Sequence, residues 1–195
     1  CVTIDPRNRH VIWVGTGESW TRNSVSIGNG VYRSGDGGDT WQHMGLPQTE
    51  RIARILVHPR DGNIVYVCAP GPLWSDSDQR GLFKTSDAGK TWSKVLAGGN
   101  RSTGCSDLEF DPRQPDVLIA ALWDFRRQGW IFRSGGESET AASGSGLFRS
   151  SDGGAHWSEY TPATHAGFPA KPYGRIGIAI APSDPKIVYA VVEGK

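Results

Sequence analysis

Apolar positions along this chain fall into two patterns, and both recur. The first joins two apolar stretches across a polar break centred on proline. Residues 2–18 read V-T-I-D-P-R-N-R-H-V-I-W-V-G-T-G-E and residues 55–71 read I-L-V-H-P-R-D-G-N-I-V-Y-V-C-A-P-G. Residues 108–124 and 178–194 repeat the scheme, so that Pro6, Pro59, Pro112 and Pro182 stand at steps of 53, 53 and 70. Each copy predicts a strand, a turn at the proline, and a second strand whose unbroken apolar run implies burial on both faces. The second pattern occupies 30–41 (G-V-Y-R-S-G-D-G-G-D-T-W), 81–92 (G-L-F-K-T-S-D-A-G-K-T-W) and 146–157 (G-L-F-R-S-S-D-G-G-A-H-W). Its first half alternates like a strand and the rest supplies a tight turn, which together predict a hairpin. Ser34, Thr85 and Ser150 precede it. Asp36, Asp87 and Asp152 can accept from turn N–H groups, while Gly38, Gly89 and Gly154 tolerate positive φ. Trp41, Trp92 and Trp157 are large enough to anchor each hairpin to its neighbours.

Combined, the patterns give a four-stranded antiparallel unit. In the second copy its strands cover about 52–58, 63–69, 82–85 and 91–96; in the third, 106–111, 116–123, 147–150 and 156–160. The first unit starts inside its inner strand and the fourth stops after its second, at 191–192. A period near 50 residues with four antiparallel strands predicts a β-propeller blade. The expected fold class is therefore all-β, a partial β-propeller of about three and a half blades. Its single domain, 1–195, divides into blades of about 1–47, 48–98, 99–162 and 163–195, the last incomplete. Such a set leaves edge strands open, so the remaining blades are expected from a longer parent chain or a second copy.

The twelve-residue pattern resembles the Asp-box, or bacterial neuraminidase repeat, S/T-x-D-x-G-x-T-W. Its third copy has His156 where Thr40 and Thr91 stand, and so lacks one hydroxyl. The chain as a whole resembles the sialidase and sortilin-type propellers. Its runs G-T-G-E-S-W (15–20), I-G-N-G-V-Y-R-S (27–34) and W-D-F-R-R-Q-G-W (123–130) are similar to large bacterial repeat proteins labelled as glycosyl hydrolases. The resemblance implies that the box is a structural turn placed away from any active site. It also implies a secreted or cell-envelope protein.

Charge narrows the partners. With 21 basic and 20 acidic residues the net charge is +1, which gives no reason to expect nucleic acid or an anionic membrane. The 26 glycines and 8 tryptophans suit short strands, tight turns and aromatic anchors. No apolar run is long enough to cross a bilayer as a helix, and the opening residues predict no secretory leader. Cys1, Cys68 and Cys105 cannot all pair, and no C-x-x-C suggests zinc. Cys68, in I-V-Y-V-C, is expected as a buried thiol, and Cys1 reads either as a lipid-bearing first residue or as a fragment end. Asp76-x-Asp78 is too short for a calcium loop, the five histidines lack ligand spacing, and G-D-G-G lacks the Lys-Ser/Thr of a phosphate loop. No metal or cofactor is expected.

In a propeller, the loops joining strands two and three share one face around the channel. Here they are long, at 18–29, 70–80 and 124–145, which points to function. Each carries a tryptophan with charges nearby, and the candidate binding set is Glu18, Trp20, Arg22, Trp74, Asp124, Arg126, Arg127, Trp130 and Arg133. Indole faces pack on sugar rings or peptide side chains, and arginines take carboxylates bidentately. The competing reading has the indoles pinning loops to blades and the arginines solvated or structural. Residues 134–145 are Gly/Ser-rich, which predicts a mobile segment.

A sialidase would need three arginines from separate blades, a Tyr–Glu nucleophile pair and an Asp acid. Arg22, Arg51, Arg126 and Arg175 are dispersed enough for the first, and Tyr173 lies beside Arg175. The F/Y-R-I-P motif of that family is absent, since residues 174–177 read G-R-I-G. A xyloglucan-type hydrolase would need two carboxylates about 5–10 Å apart, with Glu18, Asp76, Asp78, Asp107 and Asp124 as candidates. Spacing assigns no catalytic pair. The reading that follows is a non-catalytic Asp-box propeller module binding protein or glycan through its long-loop face. A glycoside hydrolase of sialidase or xyloglucanase type, and an assembly or scaffold factor, are the alternatives.

Overall fold

The computed structural model describes residues 1–135 and 143–194; most of the Gly/Ser-rich run thus lies outside the described residues. The first sheet is β1 (Val2–Asp5), β2 (Asn8–Gly15), β3 (Val31–Ser34) and β4 (Gln42–His43), paired in that order. The second is β5 (Arg54–Val57), β6 (Val65–Ala69), β7 (Gly81–Thr85) and β8 (Ser93–Leu96). In the third, β9 (Thr103–Phe110) pairs with β10 (Leu118–Gln128), which also carries β11 (Ile131–Ser134) and, on its other edge, β12 (Gly146–Ser150) followed by β13 (Ser158–Glu159). A fourth sheet pairs β14 (Tyr173–Ile180) with β15 (Val188–Gly194). All pairings are antiparallel. The chain is a partial β-propeller of four-stranded blades, with two strands of a further blade.

One element departs from the sequence expectation. The third long loop begins as a hairpin, because β10 runs on past the blade and Phe125–Gln128 pair with Ile131–Ser134. The pattern F-R-R-Q-G-W-I-F has the apolar residues and the glycine turn of a hairpin, but its two arginines break the alternation by which strands are recognised.

The core lies in the seams between blades. Side chains of a strand alternate between faces, so β6 sends Val65, Val67 and Ala69 into a cluster with Val11, Trp13 and Val31 of the first blade. Tyr66 and Cys68 go the opposite way, to Cys105, Leu108, Leu118, Ala120 and Leu122 of the third. Strand β10 divides likewise, with Ile119 and Ala121 meeting Tyr173, Ile176 and Ile178 of the fourth blade. The second seam is also covalent. Cys68 and Cys105 form a disulfide between β6 and β9, with Cα atoms 4.9 Å apart, leaving Cys1 as the free cysteine. This corrects the expectation of a buried thiol at Cys68: both cysteines lie on seam-facing positions of adjacent blades.

The hairpin turns owe their shape to one carboxylate each. Asp87 accepts from Thr85 Oγ1 (2.7 Å), Thr91 N (2.9 Å) and Thr91 Oγ1 (2.6 Å), and Gly89 N donates to Thr85 Oγ1 (2.9 Å). Asp36 does the same with Ser34 and Thr40, and Asp152 with Ser150. In the third copy His156 replaces the missing hydroxyl with its ring, Nδ1 donating to Asp152 Oδ2 at 2.6 Å. Gly38, Gly89 and Gly154 hold φ of 107°, 89° and 87°, the left-handed region that the turn requires. Trp92 anchors its hairpin to the preceding blade, donating Nε1 to Met44 O at 2.7 Å and meeting Trp13 edge-on. Trp157 packs against the second-seam cluster, and Trp41 is 45% exposed.

Two outcomes are expected. Replacing Cys105 with Ala removes a cross-link spanning 37 residues and should lower stability by about 2–4 kcal/mol in urea unfolding. Equal midpoints would show that the bond contributes nothing. The Thr91 hydroxyl is the largest cause holding Asp87 down at about 2, ahead of the Thr91 amide and the Thr85 hydroxyl. A carboxyl depressed on folding stabilises the fold fully above its ordinary value of about 4, and that stabilisation is lost as pH falls through its folded value. Thr91→Val should therefore raise the Asp87 midpoint seen by carboxyl NMR and flatten the fall in stability between about pH 4 and pH 2.

Candidate binding face

Second strands end, and first strands begin, on the face opposite the Asp-box turns, and the three long loops rise there. The first is closed by its own polar groups. Thr16 Oγ1 donates to Gly30 O at 2.7 Å and accepts from Asn29 N at 2.9 Å. The Glu18 carboxylate accepts from Ser26 N (2.8 Å) and Arg22 Nη2 (3.0 Å), the amide first and then the guanidinium holding it below the usual carboxylate range. In G-T-G-E the second glycine is obligatory: Gly17 has φ 84°, and a Cβ there would strike Glu50 O. Trp20 is left 67% exposed.

Two buried arginines hold the second loop. Arg80 donates to Pro70 O (2.7 Å), Pro72 O and Ser75 O (3.3 Å), and its guanidinium lies 4.7 Å over the Phe125 ring. Burial, with Arg126 adding to it, brings its pKa down to about 9 against the pull of Asp124 and Asp76. Arg51 donates Nη1 to Gly71 O at 3.0 Å, and burial likewise lowers its pKa. Arg80 was not among the sequence candidates. Its counterparts in the other boxes are Asn29 and Ser145, so the repeat gives no hint of its role. Trp74 stands 46% exposed on this loop.

The third loop ties the others together. Arg127 donates Nε to Thr21 O of the first loop (2.8 Å) and its backbone N–H to Leu73 O of the second (3.1 Å). Arg126, 5% exposed, pairs with Asp76. Asp124, 1% exposed, accepts from Arg133 Nη1 and Asn100 Nδ2, both at 3.0 Å, while Ser145 Oγ accepts from its amide at 2.8 Å. Beneath them Leu73, Trp123 and Phe125 form an apolar cluster with Val25 and Phe132. Trp130, at the tip of the β10–β11 hairpin, is 89% exposed.

Asp124, Arg126, Arg127 and Arg133 are thus gathered at the base of this face. Glu18 and Arg22 pair with each other apart from that group, and the three indoles project from three different loops. Two residues named separately from the sequence, Asp107 and Arg175, line one cavity of about 190 Å³ on the channel wall, with Ser19, Arg54 and Ser106. There Asp107 accepts from Ile178 N (3.0 Å) and faces Arg54 at 3.5 Å, and Arg54 also pairs with Glu109, whose pKa burial pushes up against that attraction. All five carboxylates considered for hydrolysis are paired with an arginine: Glu18 with Arg22, Asp76 with Arg126, Asp78 with Arg101, Asp107 with Arg54, and Asp124 with Arg133. Among the described residues no group of three metal-ligating side chains occurs, and no helix is long and apolar enough to cross a membrane.

Residues 29–166 match the Sortilin-Vps10 family, described as sortilin, neurotensin receptor 3. A xyloglucanase of a Paenibacillus species is 32% identical over 168 residues, covering 79% of this chain and 15% of that protein. Vacuolar protein sorting/targeting protein 10 of Chaetomium globosum is 30% identical over 92 residues, 47% of this chain and 6% of that protein. Among solved structures, an ancestral GH74 enzyme superposes with a TM-score of 0.67 at 19% identity, over 97% of this chain and 21% of that one. At that identity the match speaks for the fold. The chain spans less than a fifth of the length of these two curated relatives.

Arg127→Leu should free the first loop from the third. Amide exchange at residues 18–26 is expected to quicken about tenfold, the worth of one charge-assisted hydrogen bond. Unchanged protection would show that the loop needs no such tie.

Proposed function

The chain belongs to the Sortilin-Vps10 family, and from that premise we propose that it is a binding module which captures a glycan chain on its loop face without cleaving it. The observation that carries this reading is the contrast between the indoles and their supports. Trp20, Trp74 and Trp130 are 67%, 46% and 89% exposed. The loops that bear them are fixed by buried arginines and by Arg127. Rigid, exposed aromatic faces stack on sugar rings with little entropy to lose. The paired state of the candidate carboxylates supports a binding role over hydrolysis, since each is already committed to a guanidinium. The hydrolase reading draws on the name xyloglucanase borne by relatives. A protein ligand is the second reading, favoured by the sorting proteins among the relatives and by the enrichment of Trp and Arg at protein interfaces.

Two further features bear on context. The Cys68–Cys105 disulfide supports an oxidising compartment, outside the cell or in its envelope. The outward faces of the terminal sheets carry Ile4 and Trp41 at one end and Tyr189 and Val191 at the other, all exposed. These apolar faces support further blades seated against them, from the same protein or a second copy.

The test is calorimetric titration of the full-length protein with xyloglucan oligosaccharides, with a reducing-sugar assay alongside. Joint replacement of Trp20, Trp74 and Trp130 by Ala should weaken binding at least about 100-fold, at roughly 1 kcal/mol or more per indole, with near-UV dichroism of the remaining tryptophans preserved. Undiminished binding would remove the site assignment, and release of sugar ends dependent on Asp124 would replace binding with hydrolysis.

A further inference from the structure

We propose that the seam between the first two blades, on the Asp-box face opposite the long loops, holds a second site that takes an acidic saccharide, with Arg33 receiving its anionic group. Two cavities meet in this seam. One, of about 490 Å³, is lined by Arg33, His43 and Met44 of the first blade and by Lys90 and Trp92 of the second. The other, of about 270 Å³, includes Asp5, Arg7 and Asn63, and both share Arg33 and Ala88. Together they run from the Pro-centred turns near the channel to the outer strand β4.

The repeat supplies an internal control. At the second seam Lys84, at the box position of Arg33, donates Nζ to Gly153 O at 2.7 Å. Tyr66, at the strand position of Trp13, donates to the same oxygen at 2.8 Å. That seam is closed by its own side chains. At the first seam Ala88 stands in the place of Gly153, and neither equivalent bond is made. The Arg33 guanidinium lies over the Trp13 ring at 5.7 Å but has no hydrogen bond or ion pair among the described residues. Its Nε is shut from water without a partner, and so is Trp13 Nε1. An unmade buried N–H costs about 1–3 kcal/mol. The equivalent positions of the repeat satisfy their donors internally one blade later, so the unengaged Arg33 guanidinium is particular to this seam rather than a general feature of the turn.

The chemistry of the opening selects the ligand. Arg7, Arg33 and Lys90 face it against one carboxylate, Asp5, whose Oδ1 already accepts from Arg7 N at 2.8 Å. His43 Nε2 is engaged with Asn29 O at 2.7 Å. An anion is therefore favoured, and a planar carboxylate or a sulfate fits a guanidinium with free N–H groups. Trp92 spends its Nε1 on Met44 O and offers its ring as a wall. An anion-binding fork beside an indole wall, in a cavity of ligand size, suits a compact charged sugar ring better than an extended acidic chain.

The full-length protein is titrated with digalacturonate, a sulfated disaccharide and neutral cellobiose. Binding of an acidic disaccharide at about 1 mM or tighter, weakened by salt and, in the Trp20, Trp74 and Trp130 triple replacement that lacks the loop-face indoles, absent for cellobiose, is expected. The tighter of the two acidic probes identifies the anion. Arg33→Gln should weaken it at least about tenfold, while the Trp20, Trp74 and Trp130 triple replacement leaves it unchanged, which separates this site from the loop face. Should Arg33→Gln not fold, Lys90→Gln is expected to weaken binding about threefold through lost charge. Equal affinity of that triple replacement for cellobiose, no binding of either acidic probe, or no effect of a folded variant overturns the proposal. Binding of an oligoglutamate peptide in preference to both sugars overturns the ligand class.

Discussion

The two inner blades of this protein depend on both their neighbours, because the second strand of each sends alternate side chains into two different seams. Val65, Val67 and Ala69 are buried against the first blade, and Tyr66 and Cys68 against the third, on a strand five residues long. No blade has a core of its own. An isolated sheet of this size would expose both apolar faces, whereas stacking buries them in turn. The same logic explains the Asp-box tryptophan. Trp92 reaches across the first seam to Met44 and Trp13, so a turn at the rim also registers one blade on the next.

The loop face is built on a different principle. A small apolar cluster lies beneath its loops, and much of the work of fixing them falls to charged groups removed from water. Arg80 sits among three carbonyls and a phenyl ring, Arg126 against Asp76, and the Asp124 carboxylate between donors from Asn100 and Arg133, with its amide donating to Ser145. Burying a charge is costly unless it is paired and hydrogen-bonded, and such networks specify one arrangement of the backbone more than they add stability. The result is three loops in fixed relation, each with an indole facing solvent. Most of the polar groups named from the sequence are engaged in holding the loops, while the three indoles stay exposed.

The two faces also differ in how they vary between repeats. Loops on one face share no sequence from blade to blade, as expected where function is diversified on a common frame. On the other face the three boxes keep the same carboxylate at the centre of the turn, even where His156 takes the part of a threonine. Variation there reaches the seam positions, where Trp13 and Arg33 stand in place of Tyr66 and Lys84. Small exchanges at such positions open or close a groove without altering the turn.

The blades, their strand order and the hairpin turns were legible from the sequence because they rest on short-range physics. Alternation, proline breaks and an Asp four residues from its partner amide all act within a few residues, so that Asp87 and Thr91 announce the turn they form. The candidate site was legible only as a neighbourhood. The indole positions followed from loop length, but the roles of the arginines and carboxylates did not. Arg127 meets Thr21 across 106 residues, Arg126 meets Asp76 across 50, and Cys68 finds Cys105 across 37. Arg80 is buried through a carbonyl cradle that no residue pattern marks. Local spacing decides which strands and turns form, because their bonds close within one element. Which charges are buried, which cysteines pair and which side chains remain for a ligand depend on how blades distant in sequence stack, and that only the tertiary structure decided.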